Sequence, residues 1–364
     1  MHSYWSSMPR ISTDFEYRGI EAALLENEYL RVTLLPGKGG DILEFRDKES
    51  DVDVLWHAEY NWLSPGETSV PESGDANWTR YYPGGWQLNL PLAGWGGSVS
   101  NTSYAAHGES ALQAWDVEVL ADTADEVSIG LSVELTEYPL SVERQLTLPS
   151  GKAALQISES ISNEAPVPVE YIWQHHVALG APLLGPAARL DVPAETGQVD
   201  PSYGDGDVFE NGRLAGGERF DWPDAPLAEG GTTDLREVPP PEARLHDQAY
   251  ALDLEDGWYG LTNPDLDLGF GLRFPTDPFE AVWYWQALGG FEDAPFYGRN
   301  YNVGIEPTSA YPAGSVPDAQ RENGTMKTLD PGESASAELT AATYHGLESV
   351  SNVAPDGAVT GTER

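Results

Sequence analysis

Cysteine is absent from the 364-residue sequence. That excludes disulfides, a thiolate nucleophile, and Cys-ligated zinc or iron–sulfur clusters. Positive charge is scarce: Lys and Arg total 19 against 59 Asp and Glu, a formal charge of −40, and the only lysines are Lys38, Lys48, Lys152 and Lys327. A surface of that sign repels phosphate, so neither nucleic acid nor an acidic membrane is an expected partner. No apolar run approaches the roughly 18 residues of a membrane helix. The N-terminal segment has no basic stretch followed by an apolar core, so no signal peptide is expected and the location reads as cytoplasmic. Support for a dedicated zinc site is weak, because no HExxH-like spacing occurs. A G-x-S-x-G elbow and a Walker loop are also missing.

What is abundant argues for a folded core. The 12 Trp, 17 Tyr and 9 Phe are spread along the chain, whereas disorder goes with few aromatics. An aromatic core under an acidic, Lys-poor surface reads as a protein of a high-salt cytoplasm. Salt there screens self-repulsion to a length of roughly 3 Å or less.

The apolar pattern has a period of two. Residues 19–26 and 29–35 read as a hairpin, and strand-like runs follow at 117–120, 127–135, 142–148, 155–161 and 167–176. Further runs lie at 258–261, 269–274, 281–285 and 303–305, and Ser334–Tyr344 reads as the last strand. Many short strands with turn signals predict one all-β, predominantly antiparallel domain over residues 1–346. Within it, residues 190–241 read as a long acidic, Gly/Pro-rich loop region. Residues 347–364 are small and polar and read as a flexible tail.

Seven His are available, and His2 is expected to be solvated. Three groups stand out: Ala106-His107-Gly108, the stretch Trp173-Gln174-His175-His176, and Gly304-Ile305-Glu306-Pro307. Each alone has a bland reading as a turn or strand end. Adjacent His on a strand point to opposite faces, so at most one of His175 and His176 serves a given pocket.

Taken in order, these groups resemble the galactose mutarotase-like superfamily, the aldose 1-epimerases and their relatives. Asn27 to Pro36 with Gly39-Gly40 resembles the family's opening hairpin, and Gly84-Gly85-Trp86 with Asn89-Leu90-Pro91 resembles the stretch ahead of its His-Gly motif. Glu143-Arg144 and Asn163 match residues before the catalytic His, and His246-Asp247-Gln248-Ala249-Tyr250 resembles an Asp-x-x-aromatic motif.

The resemblance implies a β-supersandwich that interconverts the α and β anomers of a free sugar, with no metal or organic cofactor. It implies Glu306 as general base, His176 as general acid at the ring oxygen, and His107 as a hydrogen-bond partner of the ring oxygen or a nearby hydroxyl. Asp247 would bind hydroxyls, and Arg80 stands where the family carries an Arg. Trp86 and Trp283, with Trp285, are candidate stacking platforms whose indole N–H is available as a donor. Arg299, with Lys38 and Arg80, is the candidate cation for a charged sugar. The alternatives are a sugar-binding or sensing module without catalysis, and a lyase-type carbohydrate enzyme on the same fold. The oligomeric state is left open.

Overall fold

Alternation builds the sheets. In Ala154–Asn163, Leu155, Ile157, Glu159 and Ile161 are buried while Gln156, Ser158, Ser160 and Ser162 reach the outer face. Leu140–Pro149 beside it buries Val142, Arg144 and Leu146 and exposes Glu143 and Gln145. These strands belong to an eight-stranded sheet in the order Arg189–Asp191, Trp258–Asn263, Leu268–Arg273, Ser334–Tyr344, Ala154–Asn163, Leu140–Pro149, Glu126–Glu134, Asp116–Asp122. The pairings within it are antiparallel.

A twelve-stranded sheet packs on it. Its centre runs Trp86–Asn89, Gln174–Gly180, Tyr301–Thr308, Ala281–Leu288, Leu245–Leu254. Every residue of Gln174–Gly180 is buried, which follows from having a layer on both faces. Aliphatic and aromatic side chains of the two sheets, such as Ile157, Leu146, Phe270, Val177 and Ile305, form one continuous core. The fold is therefore all-β and antiparallel, as expected. The computed structural model describes residues 8–64, 78–203, 209, 211–313 and 317–364. His2 and parts of the loops at 61–82 and 190–241 lie outside the described residues. Among the described residues, no helix is long and apolar enough to cross a membrane.

Three local expectations change. The run 167–176 is two strands, because the chain switches partners at Ile172-Trp173. Val169–Tyr171 pairs with Lys327–Leu329, while Gln174–Gly180 joins the large sheet. The Ile172 amide bonds the Pro91 carbonyl and the Trp173 amide bonds Ser309 Oγ at the switch. The segment 190–241 is not a bare loop: Ala194–Val199 and Arg219–Asp221 extend the large sheet at its edge.

Nor are residues 347–364 a frayed tail. Leu347–Val353 and Val359–Glu363 form a hairpin, and Val350 and Val353 are buried against Trp258 and Tyr344. The receiving surface is bare because Gly260 and Gly271 face each other across two strands. A Cβ on Gly260 would stand 2.6 Å from Val350 Cγ2, and one on Gly271 would stand 3.0 Å from Val353 Cγ2. Two glycines thus make a recess that two valines fill, and filling it orders the terminal hairpin.

Candidate active site

Register collects the polar residues. His176 pairs with Gln87, Gln174 pairs with Asn89 and with Thr308, and Trp283 pairs with Glu306. Gln248 pairs with Trp285, and Trp285 pairs with Gly304. Because side chains alternate, this set shares one face of the large sheet, the face turned away from the small sheet. Over it lies a cleft walled by Trp78, Trp283, Trp285, Phe209, Phe291 and Phe296, with His107, His176, Gln248 and Glu306 in its lining.

At the centre, His176 Nε2 stands 3.4 Å from Glu306 Oε1. The other carboxyl oxygen accepts from Gln174 Nε2 at 2.9 Å, and Asn89 Nδ2 donates to Gln174 Oε1 at 2.8 Å. Asn89 Nδ2 also lies 2.8 Å from His107 Nδ1, which receives the Gly94 amide at 3.3 Å. With donors on Nδ1, neutral His107 carries its proton on Nε2. The His107 ring lies tilted at 45° to Trp78, 4.2 Å between centroids, and meets the His176 ring edge-on at 5.1 Å. His107 is left-handed, with φ 63°, and its amide bonds the Gly94 carbonyl at 3.0 Å. That turn aims the imidazole back over the sheet.

Gly304 makes room for the carboxyl. A Cβ there would lie 2.1 Å from Glu306 Oε1. Glu306 therefore lies back along its own strand over a position without a side chain.

Burial sets the electrostatics. It pushes the Glu306 carboxyl well above the usual carboxylate range. It pushes His176 down to about 4. His107 falls well below its ordinary value, through burial first and then the neighbouring His176. Both shifts run toward the uncharged forms, a protonated carboxyl beside a neutral imidazole. His176 Nδ1 is buried without a hydrogen-bond partner, and so is Gln248 Nε2.

Of the sequence-derived candidates, Glu306, His176, His107 and Trp283 meet in this cleft. The others lie elsewhere. Trp86 is fully buried on the opposite face, where its N–H donates to His175 Nδ1 at 3.1 Å. Asp247 is saturated: Arg213 Nε at 2.8 Å, the Arg213 amide at 2.8 Å and the Tyr203 hydroxyl at 3.0 Å all donate to it. It clamps the 190–241 segment to the large sheet and does not face the cleft. Arg299 bonds the carbonyls of Phe296 and Pro295 within its own loop. Lys38 is fully buried and paired with Asp41. Arg80 is half-buried beside Thr79 and does not line the cleft. Three of the cleft's indole N–H groups are also committed: Trp283 to the Ala310 carbonyl, Trp285 to His246, Trp78 to Gln87. These rings offer the cleft apolar surface, not donors.

Gln248, Gln174, Asn89 and Trp78 were missed by sequence reasoning. For Gln248 a signal existed: alternation with Tyr250 across from Trp283 puts it, and not Asp247, on the cleft face.

The two packed antiparallel sheets have the galactose mutarotase-like fold. The chain belongs to the family described as Domain of unknown function (DUF4432), whose sequence signature matches residues 17–211 and 213–342. Solved structures share the fold. A candidate aldose 1-epimerase from Klebsiella pneumoniae has a TM-score of 0.70 at 19% identity, over 92% of this chain and 83% of its own. A galactose mutarotase-like protein from Clostridium acetobutylicum has a TM-score of 0.63 at 14% identity, over 93% of this chain and 100% of its own. A candidate aldose 1-epimerase from Escherichia coli K12 has a TM-score of 0.58 at 16% identity, over 88% of this chain and 98% of its own. No curated protein matches the sequence.

Proposed function

We propose that the protein interconverts the α and β anomers of a free sugar, as an aldose 1-epimerase does. One juxtaposition carries the reading: a carboxyl and an imidazole 3.4 Å apart, on the floor of an aromatic cleft. Ring opening needs a base for the anomeric hydroxyl and an acid at the ring oxygen. Glu306 and His176 are that couple, and His107 donates from Nε2 to the ring oxygen or a hydroxyl beside it. The working couple holds one proton. With the proton on Glu306, His176 takes the anomeric proton and Glu306 protonates the ring oxygen. With the proton passed to His176, the roles exchange, and Glu306 is the base. Both are one protonation state of a coupled pair. Rotation about C1–C2 and closure on the other face return the proton, so the cycle balances without an external co-reactant.

Anomer equilibration followed by NMR over a panel of sugars tests this. Glu306→Gln and His176→Asn should each lower kcat/KM by roughly 10²- to 10⁴-fold. Wild-type kcat/KM should rise with pH through about 4, as His176 loses its proton, and fall again where Glu306 ionises. If both variants equilibrate the best sugar as fast as wild type, the assignment is wrong. Sugar binding with no acceleration by wild type would leave a sugar-binding protein.

The surface belongs to the same reading. A chain at −40 is suited to a high-salt interior. Between roughly 0.1 and 1 M salt the screening length shrinks from ~10 to ~3 Å, and the thermal midpoint should climb over that range. A flat or falling midpoint would remove the high-salt assignment.

A further inference from the structure

Among the described residues, the cleft is short of hydrogen-bonding groups. An aldohexose carries a hydroxyl on every ring carbon but one, and another on its exocyclic carbon. Glu306, His176 and His107 are occupied with the anomeric hydroxyl and the ring oxygen. Among the described lining residues, Gln248 and Thr79 are the remaining non-aromatic polar side chains, and none is Lys or Arg. Among the described lining residues, the N–H groups of Trp78, Trp283 and Trp285 are bonded within the protein, and half-buried Trp95 keeps its N–H for a ligand. Phe291 and Phe296 stack at 4.7 Å and present hydrocarbon. In the same lining, Gln248 is 5% exposed, and its Nε2 is buried with no partner. A buried amide N–H left unmatched is costly, and a ligand oxygen would satisfy it. Conversely, each sugar hydroxyl driven against the aromatic wall loses water without replacement, a penalty of roughly tenfold or more in affinity.

Resting on the anomerase reading, we propose that the cleft selects an uncharged deoxy sugar, with Gln248 Nε2 as the donor that holds one of its remaining hydroxyls. A methyl or methylene in place of a hydroxyl fits the aromatic wall. The scarcity of donors and the missing cation disfavour fully hydroxylated, phosphorylated and uronate sugars.

The test compares sugars that differ at one centre: D-galactose with D-fucose, L-galactose with L-fucose, L-mannose with L-rhamnose, D-glucose with 2-deoxy-D-glucose. Equilibration rates by NMR and binding by tryptophan fluorescence are measured on the full chain. In at least one pair the deoxy member should show roughly tenfold higher kcat/KM or tighter binding. Gln248→Leu should raise KM for that sugar roughly tenfold while kcat falls by less, and Gln248→Asn should recover part of the loss. Preference for the hydroxylated member in every pair overturns this proposal and leaves the anomerase reading standing. So does a Gln248→Leu variant with wild-type KM. Selective binding of a deoxy sugar that Gln248→Leu weakens, without any acceleration, supports the selectivity and overturns the anomerase reading. No binding and no acceleration of any sugar overturns both.

Discussion

His175 and His176 are neighbours in sequence and sit in two different environments. His175 points between the sheets. It accepts from the Trp86 N–H at 3.1 Å and lies 3.2 Å from Glu159, which is paired with Arg144 at 2.7 Å. Burial alone would raise the Glu159 carboxyl, but His175 and Arg144 outweigh it and hold the group below its usual range. His176 points the other way, into the cleft. It has Glu306 on one nitrogen, nothing on the other, and aromatic rings around it. Among the described residues no cation sits by Glu306, so burial prevails and its carboxyl goes up. The difference teaches how a buried polar group fixed in one charge state is told from one that is not. A buried charge with its counter-charges in place is held in one state. A buried acid and base with no counter-charge can exchange a proton.

The comparison can be broken from either side. The largest expected effect is the loss of activity in Glu306→Gln and His176→Asn, with little change in unfolding. Glu159→Ala should do the opposite. It leaves Arg144 buried without its partner, and denaturant unfolding should show a loss of about 3–5 kcal/mol. Adding Arg144→Met and using Glu159→Leu should recover most of that, because a buried ion pair is worth little more than well-packed apolar groups. If Glu159→Ala abolished activity without loss of stability, the inter-sheet pair would be part of the chemistry and the contrast would fail. A smaller effect sharpens the cleft side. Gly304→Ala places a methyl where Glu306 Oε1 now lies, so kcat should fall roughly ten- to a hundredfold while the fold stays intact. Unchanged kinetics would mean that the carboxyl works from another position.

The fold was largely legible. Alternation in Ala154–Asn163 and Ser334–Tyr344 marks strands within a residue or two of their observed ends, because one buried face imposes a period of two. The terminal hairpin was not legible. Its only buried anchors are Val350 and Val353, and their receptor is a gap left by glycines on distant strands. The three chemical motifs were legible as short words around His107, His176 and Glu306. Asp247 was misleading, since a motif names residues and not the faces they take. Its partners, Arg213 and Tyr203, come from a segment that reads as loop.

By itself, the sequence determined the all-β class, the acidic surface and the inventory of acid and base groups. These depend on local periodicity and composition, which a linear chain carries in full. Tertiary structure decided which of two adjacent His meets Glu306, which of Asp247 and Gln248 faces the cleft, and which indoles keep a free N–H. Those outcomes depend on register between strands more than a hundred residues apart, such as Gln174 opposite Thr308. A shift of one residue in that register would turn every one of those side chains to the other face.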